Sequence, residues 1–368
     1  MDTYKHGYGA LDCDLSSQKA SRLIRGHLFA FVSLLVAFAA SALPLKVSAA
    51  DNRYILWSVD WSSDGNFFAV GGAWVGIFDA KTQQRHATPA LGSLKAISKV
   101  RWHPRRQLLA ISGGADGVTA IYDPTNDQKT TLKTKEGTRG IAWNANGELL
   151  ATAGNHGELQ IWTADGQLLH TTRPEKAKSL TGVAWHPTQA KIATIGEFIT
   201  LYDGRGNITK QVSHRPEAKG FCLLLCVEWH PSGEFFVVGD YGNSDTGDAP
   251  ALQFWSPDGK LLKTLEVKEG AEFRNVSWNR DGTLLASASD ALRIWSKDGQ
   301  LKHVGKSPDL LWGIRWNREG TQLLTSSHEG RVTLWTAAAE VSKQVVDPTE
   351  HGTATGRDGS AKKSTKNP

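Results

Sequence analysis

Residues 276–287 read Val-Ser-Trp-Asn-Arg-Asp-Gly-Thr-Leu-Leu-Ala-Ser: an alternating segment ending on Trp278, a polar turn closed by Gly282, then an apolar run. Alternation marks a strand with two unlike faces, and Gly at the end of a tight turn accepts the positive φ that other residues resist. The pattern returns along the chain. Its core recurs as Val59-x-Trp61, Val100-x-Trp102, Ile141-x-Trp143, Val183-x-Trp185, Val227-x-Trp229, Val276-x-Trp278 and Ile314-x-Trp316, at spacings of 41, 41, 42, 44, 49 and 38 residues. Seven in-phase copies of one unit define a repeat architecture before any local assignment is made.

Each copy continues in the same way. First turns read Ser62-Ser63-Asp64-Gly65, Asn144-Ala145-Asn146-Gly147, His230-Pro231-Ser232-Gly233, Asn279-Arg280-Asp281-Gly282 and Asn317-Arg318-Glu319-Gly320. Second strands such as Phe67-Phe68-Ala69-Val70, Leu149-Leu150-Ala151-Thr152 and Leu323-Leu324-Thr325-Ser326 are almost continuously apolar, as strands covered on both faces are. Third strands end at Phe78, Tyr122, Trp162, Tyr202, Trp255, Trp295 and Trp335, and Asp-Gly hairpin signals at 165–166, 258–259 and 298–299 lead into a fourth. Such a sheet satisfies both faces only against like neighbours, and a ring removes the two exposed ends. The expected fold is all-β: a seven-bladed β-propeller of four-stranded antiparallel blades.

From residue 55 to about 346 the chain resembles the WD40-repeat family in strand pattern, turn and closing aromatic. It departs from that family where Gly-His precedes the first strand, which no copy shows, and in the second loop, where the Asp is clear only at Asp116. The family's buried His-Ser-Asp-Trp network is therefore expected to be missing from most blades, leaving stability to packing. Glu340 to Val346, directly after Trp335, is the candidate to complete the last blade.

Outside the repeat, residues 1–27 are a basic leading segment, with Lys19, Arg22 and Arg25 before an uncharged apolar run from Leu28 to Leu45 and the small residues Ser48-Ala49-Ala50. Residues 28–50 read as a signal peptide or a membrane anchor, and both place the propeller across a membrane, exported or tethered. Residues 347–368, rich in Gly, Ser, Thr and Lys, read as a disordered tail.

A net charge of +5 with no basic block in the body argues against a nucleic-acid partner. Cys13, Cys222 and Cys226 make neither a disulfide framework nor a metal spacing. Cys222 and Cys226, four apart in an extended segment, would stand about 13 Å from each other, so two buried thiols are expected unless the chain bends between them.

In WD40 propellers the first strands line the channel, and the residue four before each repeat Trp sits at its top rim: here Trp57, Ser98, Arg139, Thr181, Leu225, Arg274 and Trp312. Of 14 tryptophans, seven close first strands and four close third strands, leaving Trp57, Trp74 and Trp312. Trp and Arg dominate binding hot spots because they bury much area with few rotamers to freeze. Trp57, Trp74, Arg139, Arg274 and Trp312 are therefore the candidate partner-binding residues, centred over blades six, seven and one; the competing reading is that these tryptophans only plug the channel mouth.

The blade-five loop Gly239 to Pro250 carries Asp240, Asn243, Asp245 and Asp248, an oxygen-rich set without EF-hand spacing that reads as a solvated loop. His103, His186 and His230, each in a Trp-His-Pro turn, read as turn chemistry on the opposite face. No nucleophile elbow, phosphate loop or His-Glu-x-x-His is present, so neither catalysis nor a cofactor is expected. The reading is an exported or tethered scaffold holding a protein partner on its top face. A small-molecule or glycan binder using the extra tryptophans is the alternative, and a channel enzyme is less suited because the rim set offers no converging carboxylates or histidines.

Overall fold

The computed structural model describes residues 55–346, apart from 92–95, 114–117, 135–136, 217–221, 244–245 and 268–271. The leading segment 1–27, the apolar segment 28–50, the tail 347–368, Cys13, Asp116 and Asp245 lie outside the described residues. Among those described, no helix is long and apolar enough to cross a membrane.

Each alternating segment forms the first strand of a sheet, and each apolar run after its Gly turn forms the second. Strands β1 to β28, in chain order, make seven four-stranded antiparallel sheets, each of four consecutive strands. The first strands are β1 (Leu56–Trp61), β5 (Ile97–Trp102), β9 (Thr138–Trp143), β13 (Leu180–Trp185), β17 (Leu224–Trp229), β21 (Asn275–Trp278) and β25 (Leu311–Trp316). Each lies beside the next, and β25 returns to β1, so they form the inner wall of a closed ring. Second strands such as β2 (Phe67–Gly72) and β10 (Leu149–Gly154) are buried almost throughout. Outer strands such as β12 (Leu168–Thr172) and β20 (Leu261–Glu266) are mostly exposed, and Leu168, Leu169, Leu261 and Leu262 face solvent there.

The last blade is completed by its own chain: β28 (Val341–Val346) pairs antiparallel with β27 (Val332–Thr336). No strand is shared across the seam. Closure depends on side chains, with Leu56, Val59, Phe68, Val70 and Phe78 of blade one packing against Leu324, Val332, Leu334 and Val346 of blade seven. Arg318 adds a hydrogen bond from its guanidinium to Ser63 O, 2.9 Å away.

A first strand pairs with its sheet on one side only, so its other edge needs partners that a buried backbone cannot leave unmade. Four of the seven repeat tryptophans supply one. The indole N–H of Trp143 donates to Arg101 O (3.2 Å), that of Trp185 to Ala142 O (3.1 Å), that of Trp229 to Ala184 O (3.2 Å) and that of Trp316 to Ser277 O (3.0 Å). In each case the acceptor is the residue just before the Trp of the preceding blade. In the reverse sense, Asp60 accepts the backbone N–H of Trp102 at 2.7 Å.

The Trp-His-Pro turns extend the same logic along the lower face. Nε2 of His103, His186 and His230 bonds the carbonyl of Gly147, Gly233 and Gly282, the turn glycine of the next blade, at 2.9, 3.0 and 2.9 Å. The rings also pack on the next blade's Trp143, Trp229 and Trp278, with centroids 4.6–4.8 Å apart. These glycines are doubly constrained: Gly233 has φ of 76°, and a Cβ on it would lie 2.3 Å from the His186 ring.

Trp229→Phe should cost about 2 kcal/mol in urea unfolding, since it strands the Ala184 carbonyl in a packed interface. Trp61, half-buried and with no hydrogen-bond partner for its indole N–H, should lose about half as much in Trp61→Phe. Equal losses would show that the indole bond contributes nothing.

Candidate functional site

The rim positions are built by a repeated backbone device. In six of the seven first strands the register slips by one residue near the start, between Leu56 and Ser58, Ile97 and Lys99, Thr138 and Gly140, Leu180 and Gly182, Leu224 and Cys226, and Leu311 and Gly313. The residue left unpaired is the rim residue each time: Trp57, Ser98, Arg139, Thr181, Leu225 and Trp312. In blade six, Arg274 stands just before β21 and its N–H bonds Ala288 O at 3.2 Å. A β-bulge re-aims one side chain out of the alternation in these six blades, and all seven rim residues are half-buried. The turn after each second strand lies at the same end; in blade one, for instance, Ala73 N–H bonds Ile55 O.

Not every rim residue is available to a partner. Ser98 and Thr181 use their hydroxyls on Thr138 O and Leu224 O, the first-strand backbone of the next blade. Arg274 and Trp312, on blades six and seven, come together: the guanidinium carbon lies 3.7 Å from the indole centroid, and Glu272 pairs with the same Arg. His328 stacks on Trp312 at 6.3 Å. The Trp312 indole N–H and Arg274 Nε are buried without a hydrogen-bond partner among the described residues. Trp57 is the equivalent residue of blade one, next around the ring. Trp74 packs across its own blade, 6.2 Å edge-on to Phe78 and 4.8 Å from the Arg85 guanidinium. Arg139 stands on blade three, away from the Arg274–Trp312 pair.

On the third strands, the aromatic closing the repeat is tied to a hydroxyl on the second. Trp162 Nε1 donates to Thr152 Oγ1 (3.1 Å), Trp295 Nε1 to Ser287 Oγ (3.0 Å) and Trp335 Nε1 to Thr325 Oγ1 (2.8 Å). Half of the hydrogen-bond network expected to be missing is thus present in blades three, six and seven.

Comparison with known proteins agrees with this geometry. The chain is 30% identical over 267 residues to the WD repeat-containing protein slp1 of Schizosaccharomyces pombe, covering 68% of this chain and 51% of that protein. The chain belongs to the WD40-repeat β-propeller family. It is also 25% identical over 264 residues to cell division cycle 20.1, cofactor of APC complex, of Arabidopsis thaliana, covering 66% of this chain and 54% of that one. Protein transport protein SEC31 of Eremothecium gossypii is 25% identical over 225 residues, 54% of this chain and 17% of the other. The chain spans about half the length of slp1 and cell division cycle 20.1. Residues 76–197 match the family described as eukaryotic translation initiation factor eIF2A, a stretch running from the third strand of blade one into blade four.

Two further members of the WD40 network stand side by side in blade five, beyond hydrogen-bond distance. His214, in the connection from blade four to β17, lies 3.6 Å from Asp240 at the end of β18 (Phe236–Asp240). Nine residues lie between His214 and β17, so no compact Gly-His signal marks it. Asp240 is fully committed: it accepts from Arg215 Nε (2.7 Å) and Nη2 (3.2 Å) and from the N–H groups of Gly242 (3.0 Å) and Ala251 (2.8 Å). The ligand atoms of His214, Cys222 and Asp240 lie within 4.8 Å of one another. A cation there would meet the Arg215 guanidinium on the same carboxylate, so the cluster reads as a structural network. Both thiols are free and buried, Cys222 bonding Gly242 O and Cys226 bonding Phe273 O, and burial pushes each up to about 12. In the blade-five loop, Asn243 and Asp248 pair through their backbones.

Sequence reasoning read the rim residue, the Val or Ile and the Trp of each first strand. It missed the residue before each Trp, where Asp60, Arg101, Glu228 and Arg315 place charges inside the ring; reading the other face of the strand would have found them.

Burial holds four histidines below their ordinary range: His103, His186 and His230, and His214, which goes down to about 4 despite Asp240 beside it. The unfolded chain therefore binds protons first. Stability should be complete above pH about 6.5 and fall continuously towards pH 4, with His214 alone contributing a loss of roughly 3 kcal/mol. Melting temperature measured against pH checks this, and His214→Gln should flatten the lower part of the curve.

Proposed function

We propose that this WD40 propeller is an interaction scaffold that holds a protein partner on its top face, with the Arg274–Trp312 pair as anchor and Trp57 beside it. The observation that carries the reading is the bulge repeated around the rim, which turns large side chains out of the alternation towards one end of the channel. It sets a cation-stacked indole at 3.7 Å on adjacent blades. Such a pair offers a flat apolar surface with a charge fixed on it, which suits a protein surface better than a reacting small molecule. The slp1, cell division cycle 20.1 and SEC31 resemblances support a scaffold role, their names describing a WD repeat protein, a complex cofactor and a transport protein. We further propose that the Leu28–Leu45 segment delivers the propeller across a membrane, cleaved after Ala50 or retained as a tether.

A photo-crosslinking residue at position 57, beside the pair, should capture a discrete partner in cells, and Trp312→Ala or Arg274→Ala should reduce capture at least tenfold while the melting profile stays cooperative. Unchanged capture in both variants removes the site. Amino-terminal sequencing of the mature chain, with fractionation, tests the delivery segment; an intact start in the cytosol contradicts it.

A further inference from the structure

Charge inside the ring does not balance. β5 carries Lys99 and Arg101 two residues apart, hence on one face, the face opposite the buried Val100 and Trp102. Opposing strands add Asp60 on β1, Glu228 on β17 and Arg315 on β25, each just before its repeat Trp. Arg315 takes both carboxylates, its Nε 3.1 Å from Asp60 and its Nη1 2.9 Å from Glu228. Backbone donors complete them: Trp102 N–H to Asp60 at 2.7 Å and Trp278 N–H to Glu228 at 3.4 Å. Lys99 and Arg101 are left with no ion pair among the described residues. Arg101 Nη1 donates to Val100 O at 2.9 Å, which leaves the rest of its fork.

Arg101 and Arg315 open on a cleft of about 220 Å³ walled by Asp60, Trp102, Trp143 and Asn144, the Asp60 carboxylate being held by Arg315. It sits among the turns that follow the first strands, at the end of the channel opposite the rim. We propose that this lower mouth binds a phosphate-type anion, Arg101 presenting its guanidinium fork to two oxygens and Lys99, on the same face of β5, adding positive charge from outside the cleft lining. Three cations, Lys99, Arg101 and Arg315, face two carboxylates, Asp60 and Glu228, so the cluster keeps one net positive charge for an anion. The planar fork fits oxyanion oxygens pairwise, and indole walls strengthen the attraction by excluding water. Burial, with Arg101 and Arg315 nearby and the Cys226 thiol and Glu228 opposing, pushes Lys99 down to about 7. A bound anion favours the protonated ammonium, so binding at neutral pH is accompanied by proton uptake from buffer.

Calorimetric titration of the full chain with inorganic phosphate at pH 7, with sodium chloride at matched ionic strength as control, tests the site. The expected result is one saturable site, a change in tryptophan fluorescence and proton uptake. Binding should be at least tenfold weaker in Arg101→Gln and Lys99→Met and unaltered in Arg205→Gln, an exposed cation on blade four. Repeating the titration with glycerol phosphate separates the sources: tighter binding than free phosphate assigns an esterified ligand, equal or weaker binding the free anion. No saturable binding by the unmodified chain, or equal weakening in Arg205→Gln, overturns the proposal. Since neither cation holds an ion pair, both variants should melt no lower than the unmodified chain without phosphate; should either fail to fold, saturable phosphate binding and a phosphate-dependent rise in the Tm of the unmodified chain still decide.

Discussion

The structure depends on how the free edge of each first strand is satisfied. Seven strands line the channel, each hydrogen-bonded to its own sheet on one side and facing the next blade on the other. Unmade backbone bonds at that edge would each cost about 1–3 kcal/mol, so the ring exists only if neighbouring blades supply donors and acceptors. The repeat Trp does this with one side chain. Its ring fills the space between two sheets, and in four blades its N–H reaches the carbonyl that the preceding blade leaves open. Burial and hydrogen bonding are thus served by the same residue at those four positions, which accounts for Trp rather than Phe there; Trp61, Trp102 and Trp278 act through packing.

This arrangement explains how the ring closes without a strand borrowed across the seam. Every blade owns four consecutive strands, and the seam between blades seven and one is held as the other joints are, by packing and side-chain bonds. Arg315 spans it, pairing with Asp60 across the seam and with Glu228 on blade five. The two ends of the channel then diverge in character. Bulges give the upper rim half-buried aromatic and cationic side chains, while the lower mouth keeps the ordinary alternation and collects the charges that precede four of the seven repeat tryptophans.

Much of the fold was legible because its signals are local and repeated. The Val/Ile-x-Trp segments, Gly turns and apolar second strands each follow from residue-level preferences, and the run after Trp335 was readable as the strand that completes the last blade. What was not legible is contact between blades. The His-Pro turns read as turn chemistry, and so they are, with Arg105 and Arg106 N–H groups on His103 Nδ1. That their other nitrogen reaches a glycine more than 40 residues on has no local signature. The His214–Asp240 pair was hidden by the length of its connection, and the short β4 (Arg85–Ala87) by a segment without alternation. At the candidate site, position gave the rim residues, but only the folded structure separates Arg274 and Trp312, which meet, from Trp74, which packs on Phe78 and Arg85.

The central claim is that blades are joined by these side-chain ties, and a double-mutant cycle across one joint tests it most directly. His186 of blade four and Trp229 of blade five are in ring contact at 4.6 Å. Unfolding free energies of His186→Ala, Trp229→Ala and the double variant should give a coupling of about 1 kcal/mol or more, well beyond the roughly 0.3–0.5 kcal/mol scatter of independent sites. Additive losses within that scatter would contradict the account, since the two residues would then stabilise their own blades and not the joint.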